Sequence, residues 1–372
     1  MRIGLDARDA LRREHGITVL TAFLLKGLAE TGNDDEFIQY IDDYPADVSE
    51  AQGIVEAPGF STRVLAGRDI VWKQLRLPAA LKQDRVAVFH SLTSTIPYRR
   101  PCRTVVTVCD LFHEVHPEFV PSKARRKMSW AFAHAARYAD RVIAISENTK
   151  RDIIRYYGTP EEMISVIYPG VNPFYRRLEQ TTDSETVLAG YGVAQPFLLH
   201  VGGLTENRNI AGMLDVLTLL KKDNIRPQLV LVGRPFWGFD LRSLLQSRGL
   251  TDAVVHIAYA PNEHLRILYN AAEVLLLPSF FEGFGIPVLE AMACGTPVVT
   301  SNTSALPEAA GDAGLLVDPR EPAAIAEAVR QILNDVTLKE ELIAKGIKRA
   351  ERFTWRSTAE QTLKVYHSLA EG

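Results

Sequence analysis

Short apolar runs alternate along the whole chain with segments whose apolar residues recur at helical spacing. The runs that predict β-strands are residues 2–6, 37–41, 86–90, 104–109, 141–145 and 164–168 in the first half, and 196–201, 228–232, 254–257, 274–277, 297–300 and 314–317 in the second. Between the first two runs, Leu20, Phe23, Leu24 and Leu28 follow the period of an amphipathic helix. Nearly all-apolar strands that alternate with helices are typical of parallel sheets covered on both faces. The chain is therefore predicted to be an α/β protein.

The same pattern starts again in the second half, which indicates two domains. The segment 169–195 combines turn-forming residues with a polar stretch that lacks an apolar period, so it is predicted to be the linker. Two doubly wound, Rossmann-like domains joined there would face each other across a cleft at the carboxyl ends of their sheets. Open α/β sheets bind ligands at those ends.

Composition narrows the class of protein. The 372 residues are 47% hydrophobic and 23% charged, with a formal net charge of −3, which excludes global disorder and does not favour a nucleic-acid partner. The three cysteines form no C-x-x-C pair. Asp6 and Asp9 lie where a signal peptide would need an apolar core, and no apolar run reaches the ~20 residues of a membrane span. We expect a cytoplasmic protein.

The segment 278–301 is predicted to carry the chemistry. Gly283 and Gly285 precede a helix that Pro287 is suited to begin and Gly295 is suited to end. Glycines at this position let the backbone approach a ligand closely, and the free N–H groups of the helix start attract an anion.

Two carboxylates flank this anion site. Glu282 precedes the glycine-rich turn and Glu290 lies one turn into the helix. Carboxylates beside a phosphate site are explained if the same ligand also offers hydroxyl groups. A nucleotide sugar has both features. The alternative interpretation is an ordinary strand-to-helix turn with an exposed Glu282.

The whole chain resembles the retaining GT-B glycosyltransferases of family four, in which Glu, seven intervening residues and a second Glu form a signature that Glu282 and Glu290 match. Further matching segments include VFHSLTSTIP (88–97), ADRVIAISENTKRDI (139–153), VIYPGVNPF (166–174), LHVGGLTENRNI (199–210) and SALPEAAGDAGLLVDP (304–319). The resemblance implies a GT-B fold with an acceptor-binding domain (1–175), a nucleotide-sugar-binding domain (190–353) and a C-terminal helix (354–372) that crosses back to the first domain.

The resemblance also implies which residues hold the donor. Glu290 would accept hydrogen bonds from the ribose. Glu282 would hold hydroxyls of the sugar together with the backbone of the residues that follow it, Gly283, Phe284, Gly285 and Ile286. Gly16 would allow the donor diphosphate to approach the first strand-to-helix loop, although a loop glycine needed only for its turn is the alternative.

The segment LTENRNI implies the cation of the site. Arg208 would neutralise the diphosphate, with Gly202 and Gly203 lining the loop before it; an ordinary solvated arginine is the alternative. Some relatives carry a second arginine where this chain has Gly203. Arg234 or Lys221 could compensate for that loss.

A second departure from relatives is Cys109-Asp110-Leu111, where His-Asp-Leu is usual. Cysteine cannot replace imidazole as a cationic donor. Cys109 could be a buried filler or could mark a different donor sugar. Asp110 is expected to cap the next helix, with substrate contact as the alternative.

A metal site is not expected. His90, His113, Glu114 and His116 do not follow the H-E-x-x-H spacing that places two ligands on one helix face. Arg208 and the helix start can meet the diphosphate charge, so no metal or other cofactor is implied.

The implied reaction is sugar transfer from a nucleoside diphosphate sugar, with GDP-mannose favoured, to a hydroxyl of a glycan or lipid-linked acceptor. The anomeric configuration would be retained by front-face attack. Three alternatives remain: a retaining disaccharide synthase or phosphorylase on this fold, a catalytically inactive nucleotide-sugar-binding or scaffold subunit, and a dinucleotide-dependent dehydrogenase, which the lack of G-x-G-x-x-G after the first strand disfavours.

One dense basic cluster suggests a further partner. Lys123, Arg125, Arg126 and Lys127 lie within five residues. Such runs are usually solvated helix faces, but a peripheral contact with an anionic membrane surface is the functional alternative.

Overall fold

The computed structural model describes residues 1–11, 16–43, 53–178, 182–236 and 238–370. The chain divides into two compact units. The first unit comprises residues 1–170 together with 353–372, and the second comprises residues 171–352.

The first unit contains a seven-stranded parallel sheet in the order β3-β2-β1-β4-β5-β6-β7. Its strands are β1 (Arg2–Asp6), β2 (Glu36–Ile41), β3 (Phe60–Val64), β4 (Val88–Ser91), β5 (Arg103–Val108), β6 (Arg141–Ala144) and β7 (Ile164–Val166). Its helices are α1 (Gly16–Glu30), α2 (Asp69–Val71), α3 (Leu77–Gln83), α4 (Phe112–Val115), α5 (Ser122–Tyr138) and α6 (Glu147–Tyr157), and a π-helical turn (Trp72–Arg76) joins α2 to α3.

The second unit contains a six-stranded parallel sheet in the order β10-β9-β8-β11-β12-β13. Its strands are β8 (Phe197–Val201), β9 (Gln228–Val232), β10 (Val254–Ile257), β11 (Val274–Leu277), β12 (Val298–Ser301) and β13 (Leu315–Val317). Its helices are α7 (Thr182–Gly190), α8 (Ile210–Lys222), α9 (Leu241–Arg248), α10 (Asn262–Ala271), α11 (Ile286–Ala293), α12 (Leu306–Ala310), α13 (Pro322–Asn334) and α14 (Val336–Ala350).

The two-sheet α/β prediction is confirmed, and each apolar run named above overlaps a strand. The four residues of β11 are fully buried, as expected of a central strand with helices on both faces. The strand that the pattern missed is β3. It lies at the edge of its sheet, and its five residues are half-buried or exposed, so it carries no apolar run.

The linker prediction is wrong over part of its length. Thr182–Gly190 forms helix α7 instead of irregular chain. Leu188 is buried, and α7 packs against α10, so tertiary contact stabilises a helix that the local pattern did not indicate. The division between the units falls after Gly170, and Tyr175 already packs in the second unit, where its hydroxyl donates to Asn262 Oδ1 over 3.2 Å.

The last helix, α15 (Trp355–Ala370), belongs to the first unit. Its Trp355 ring stacks on Phe23 of α1 with centroids 5.6 Å apart. A Cβ atom on Gly27 would lie 2.6 Å from the Trp355 carbonyl oxygen, so a glycine is required for this approach. Farther along α15, the Tyr366 hydroxyl lies 2.6 Å from His90 Nδ1 on β4.

In each sheet, the order in which successive strands are added reverses at one place. In the first unit the chain runs from β1 outward to β3 and then returns to β4, on the other side of β1. In the second unit it runs from β8 outward to β10 and returns to β11 beside β8. Such a switch leaves a crevice beyond the carboxyl ends of the two central strands, where ligands of this architecture bind.

No helix among the described residues is long and apolar enough to cross a membrane.

Candidate active site

The candidate site of the second unit lies at the switch between β8 and β11. The loop after β8 and the loop after β11 are tied together there, because Phe280 N donates to Asn207 O over 2.8 Å. The Asn207 side-chain amide also donates to Phe281 O over 3.4 Å. These bonds bring the Arg208 segment beside the Glu282 segment.

The loop after β11 leads into helix α11 through a strained turn. Gly285 has φ +106°, and a Cβ atom there would lie 2.8 Å from Leu306 Cδ2. Pro287 occupies the first turn of α11, and Gly295, with φ +77°, follows its end. The roles predicted for these three residues in shaping the helix are confirmed. The first N–H groups of a helix have no partner within it, so this helix start can bind an anion.

Arg208 and Glu282 form an ion pair inside this site. The Arg208 guanidinium donates to Glu282 Oε1, which also accepts a hydrogen bond from Ser279 Oγ over 2.9 Å. Glu282 is 8% exposed, and its backbone N–H donates to Ser304 Oγ over 3.0 Å. The sequence prediction treated Arg208 as a cation for phosphate; the structure adds a carboxylate with which phosphate must compete.

The loop before Arg208 is shaped to admit its side chain. Gly202 has φ +147°, and a Cβ atom on it would lie 3.4 Å from the Arg208 guanidinium. Asn209 follows in a left-handed conformation (φ 57°), and its side chain accepts a hydrogen bond from Gly212 N to begin α8. Its amide also donates to Pro319 O over 2.6 Å. Arg208 is thus anchored from both sides.

Glu290 lies on α11 with its carboxylate buried. The Tyr269 hydroxyl of α10 donates to Glu290 Oε2 over 2.8 Å, and it is the one hydrogen bond to this carboxylate within the described ranges. Burial raises the pKa of Glu290 to about 7, while the bond from Tyr269 opposes that rise. A buried carboxylate with unused acceptor positions is suited to accept hydrogen bonds from hydroxyl groups.

His200 is a buried group that sequence reasoning did not single out. It lies on β8, and its Nδ1 is 3.2 Å from Leu276 O. Burial, and next the charge of Arg208, lower the pKa of His200 to about 3, so its ring is neutral. Its Nε2 has no hydrogen-bond partner among the residues that the structure describes.

The other predicted residues of the second unit differ in how far they are buried. Phe284 is buried, so its side chain packs in the unit, whereas Gly283 and Ile286 are half-buried. A Cβ atom on Gly203 would lie 2.9 Å from the Phe236 ring, so an arginine at this position would displace that ring.

Of the two compensating cations, Lys221 is in the wrong place. It lies in the last turn of α8, about 16 Å along the helix from its start beside Arg208. Arg234 follows β9, and its carbonyl oxygen accepts a hydrogen bond from Leu204 N over 2.8 Å. Arg234 therefore lies at the same edge of the sheet as the loops after β8 and β11.

The predicted residues of the first unit lie at the start of α1 and directly after β5. Gly16 is exposed and begins α1, with no atom within 4 Å of a Cβ placed on it. The Asp110 carboxylate accepts a hydrogen bond from Phe112 N over 2.9 Å at the start of α4, but the N-cap position is occupied by Leu111, so the predicted capping by Asp110 is replaced by this contact one residue earlier. Burial raises the pKa of the Cys109 thiol to about 12, so it carries no charge at neutral pH.

The histidines considered for a metal site contact other side chains. His90 lies between Tyr366 and Thr107 Oγ1, His113 Nε2 is 3.1 Å from Tyr157 Oη, and His116 Nδ1 is 2.9 Å from Glu118 Oε1. Across the described ranges, no three His, Cys, Asp or Glu side chains are grouped to hold a metal ion.

Several residues of the site escaped the sequence analysis. Tyr269, Ser279 and Ser304 contact the two glutamates from separate segments, and nothing in their local pattern marks them as polar partners. The only signal available was position: Ser279 follows β11 and Ser304 follows β12, both at the carboxyl edge.

Two family models match the chain in its two halves. The model described as Glycosyltransferase Family 4 matches residues 15–173, and the model described as Glycosyl transferases group 1 matches residues 191–349. The chain is 33% identical over 293 residues to O-antigen chain mannosyltransferase B of Escherichia coli, covering 78% of this chain and 76% of that protein.

Two further proteins are similar. A D-inositol 3-phosphate glycosyltransferase of Acidothermus cellulolyticus is 34% identical over 264 residues, which are 68% of this chain and 58% of that protein. The fold matches that of Anabaena HepE, solved in complex with UDP-glucose, with a TM-score of 0.77, 18% identity and 99% coverage of both chains.

These findings define the class of protein as a glycosyltransferase of the GT-B fold. The chain belongs to glycosyltransferase family 4. The predicted family, fold class and enzymatic activity are confirmed.

Proposed function

We propose that this protein is a retaining, metal-independent mannosyltransferase that transfers mannose from GDP-mannose to a hydroxyl of a glycan or lipid-linked acceptor. The observation that carries the proposal is the Arg208–Glu282 pair beside the buried Glu290 at the start of α11. This arrangement offers a cation and helix amides for a diphosphate and two carboxylates for hydroxyl groups.

Each part of the donor has a proposed partner. Glu290 accepts hydrogen bonds from the ribose hydroxyls, and the backbone at 283–286 with Arg208 binds the diphosphate. Glu282, released from Arg208 by the incoming phosphates, accepts hydroxyls of the sugar. An arginine can contact two phosphate oxygens at once, which suits it to this exchange.

In the proposed reaction, the bond between the anomeric carbon and the phosphate oxygen breaks and a bond to the acceptor oxygen forms on the same face. The departing phosphate oxygen takes the proton of the acceptor hydroxyl. Arg208 and the amides stabilise the charge that develops on the diphosphate, an effect that can contribute several kcal/mol. No metal or other cofactor is needed for these steps.

The choice of mannose is supported by the Escherichia coli relative, whose name specifies mannosyl transfer. The acceptor domain in this proposal is the first unit. Cys109, half-buried after β5 and with a neutral thiol, does not act as a cation.

A peripheral membrane contact through the basic cluster is a further part of the proposal. Lys123, Arg126 and Lys127 are exposed at the start of α5. Trp130, 61% exposed, follows one turn later and lies beside Tyr98. Arginine or lysine next to exposed aromatic rings is suited to an anionic lipid surface. Neutralising the cluster should reduce sedimentation with vesicles containing anionic lipid and leave thermal stability unchanged.

The donor proposal is tested by thermal shift with GDP, UDP and dTDP and their sugars. A selective rise with GDP and GDP-mannose is expected, together with mannosyl transfer in the presence of EDTA. Arg208→Ala and Glu290→Ala should lose the shift, whereas Arg242→Ala and Glu340→Ala, at exposed positions of the same unit, should keep it. Selectivity for UDP or dTDP would contradict the donor assignment.

The alternative of an inactive binding subunit is favoured by Cys109 and Gly203, at positions where the family resemblance implies His and Arg. It has a distinct signature. An inactive subunit would show the nucleotide-sugar shift without transfer or donor hydrolysis, whereas the proposed enzyme should lose measurable transfer in Glu282→Ala.

A further inference from the structure

The switch between β1 and β4 in the first unit, where this topology leaves a crevice, carries a second set of polar side chains. The first sheet has the same topological reversal as the second, where the donor residues lie. Asp6 ends β1, and Ser91 ends β4, with Thr93 and Thr95 in the loop that follows. By the rule that open α/β sheets bind ligands at this point, the crevice is expected to take a ligand of its own.

Arg8 forms the fixed base of this crevice. It is 3% exposed, and its guanidinium contacts both Asp6 oxygens at 2.8 and 2.9 Å and Asp69 Oδ1 at 2.8 Å. The guanidinium carbon also lies 3.8 Å above the Trp72 ring. These contacts leave Arg8 committed to the fold rather than to a ligand.

Lys73 is the residue that remains available. It projects from the π-helical turn, and its ammonium donates to Thr95 Oγ1 over 2.5 Å. Within the described part of the chain, this is the one hydrogen bond that Lys73 makes, although an ammonium has three donors. Burial lowers the pKa of Lys73 and the charge of Arg8 lowers it further, while Asp6, Asp69 and Asp9 oppose that effect.

Hydroxyl groups continue the crevice from Lys73. Thr95 Oγ1 is 3.1 Å from Thr93 Oγ1, which is 3.2 Å from Ser91 Oγ. A row of hydroxyls ending in an ammonium is suited to the hydroxyls of a polyol, which both donate and accept. The nearby carboxylates of Asp6, Asp9 and Asp69 make the surroundings of Lys73 less favourable for an anion.

We infer that Lys73 and Thr95 bind a hydroxyl group of the acceptor, a sugar or cyclitol, in the crevice between β1 and β4. This inference rests on the proposed function, because it assigns the acceptor side of the same reaction. Lys73 donates a hydrogen bond to the oxygen of this hydroxyl group, and the Thr95 hydroxyl orients the Lys73 ammonium.

The experiment compares Lys73→Met with the wild-type enzyme, using GDP-[¹⁴C]mannose as donor. Two acceptor probes, octyl α-D-mannopyranoside and D-inositol 3-phosphate, distinguish a glycan from a phosphorylated cyclitol. Hydrolysis of the donor by water serves as the readout that needs no acceptor. Lys82→Met, at an exposed position of the adjacent α3, is the matched control.

In Lys73→Met, the acceptor KM should rise roughly tenfold to hundredfold for whichever probe is used, as expected for loss of a charged hydrogen bond. The donor KM and donor hydrolysis should stay within twofold of wild type. Lys73→Arg should recover part of the acceptor affinity, and Thr95→Val should show a smaller loss than Lys73→Met. Lys82→Met should match wild type.

An unchanged acceptor KM, or an equal rise in the donor KM, would overturn the inference. So would a wild-type enzyme that hydrolyses the donor but uses neither polyol. If wild type neither binds nor hydrolyses any nucleotide sugar, the proposed function itself fails. Donor hydrolysis by Lys73→Met shows that this variant is folded.

Discussion

The Tyr269 hydroxyl donates a hydrogen bond of 2.8 Å to the Glu290 carboxylate, and both side chains are buried in the second unit. Tyr269 is itself held in place: Thr296 Oγ1 donates to its carbonyl oxygen, and the Tyr175 ring meets its ring edge-on at 5.6 Å between centroids. In the proposed function, this bond fixes the carboxylate that receives the ribose.

Tyr269→Phe should therefore weaken donor binding without removing any predicted donor contact. We expect the donor KM to rise roughly threefold to thirtyfold, since a hydrogen bond to a charged group is lost, with a smaller change in kcat. Steady-state kinetics with GDP-mannose measure the split. Tyr191→Phe, which removes a hydroxyl 2.8 Å from His264 in the same unit, is the matched control. Equal loss in both variants would argue for a general packing effect.

Donor affinity should depend on pH through Glu290. Its pKa is raised to about 7, so the carboxyl is mostly protonated below that pH and accepts hydroxyl groups less well. We expect GDP affinity to rise as the pH increases from 6 to 8, measured by isothermal titration calorimetry. Glu290→Gln should lack this step, and in Tyr269→Phe its midpoint should move to higher pH. A step that persists in Glu290→Gln would assign it to another group.

The same raised pKa has the opposite consequence for the free protein. Because the folded state favours the protonated carboxyl, its stabilising contribution is present below the unfolded pKa and is lost as the pH rises through about 7. Without nucleotide, Glu290→Gln should therefore lose less stability than wild type between pH 6 and 8. Thermal unfolding across that range checks this sign.

Arg208 should discriminate between diphosphates and monophosphates. Arg208→Met removes the cation that pairs with Glu282, and we expect GDP affinity to fall roughly tenfold to hundredfold while GMP affinity changes less. Competition binding with the two nucleotides measures the ratio. Arg242→Met, exposed on α9, should leave the ratio unchanged. An equal loss for GMP and GDP would contradict the phosphate role.

Alanine substitution at two glycines should affect the stability of the protein differently. Gly285→Ala places a methyl group at φ +106° and 2.8 Å from Leu306, which should cost about 1–3 kcal/mol of stability. Gly16→Ala meets no atom within 4 Å, so unfolding should be unchanged. If Gly16 admits the donor diphosphate, Gly16→Ala should instead raise the donor KM. Denaturant unfolding and kinetics on both variants test this contrast.

The sequence was sufficient for the elements whose signal is local. The apolar runs located every described strand except β3. The glycine, proline and glutamate positions of 282–295 located the turn and helix of the proposed donor site. It was insufficient for β3, whose edge position carries no apolar run, and for α7, which is stabilised by packing against α10.

The sequence by itself determined the order of elements, because backbone propensity and apolar period act over a few neighbouring residues. It also determined the family and the two carboxylates, because the Glu282 and Glu290 signature lies within one short segment. Only the tertiary structure decided that Arg208 pairs with Glu282 across 74 positions, that Tyr269 donates to Glu290, and that Lys73 meets Thr95 at a sheet edge. Strand order brings these partners together, and the cost of burying an unpaired polar group favours their contact. Neither effect can be seen in a local sequence pattern.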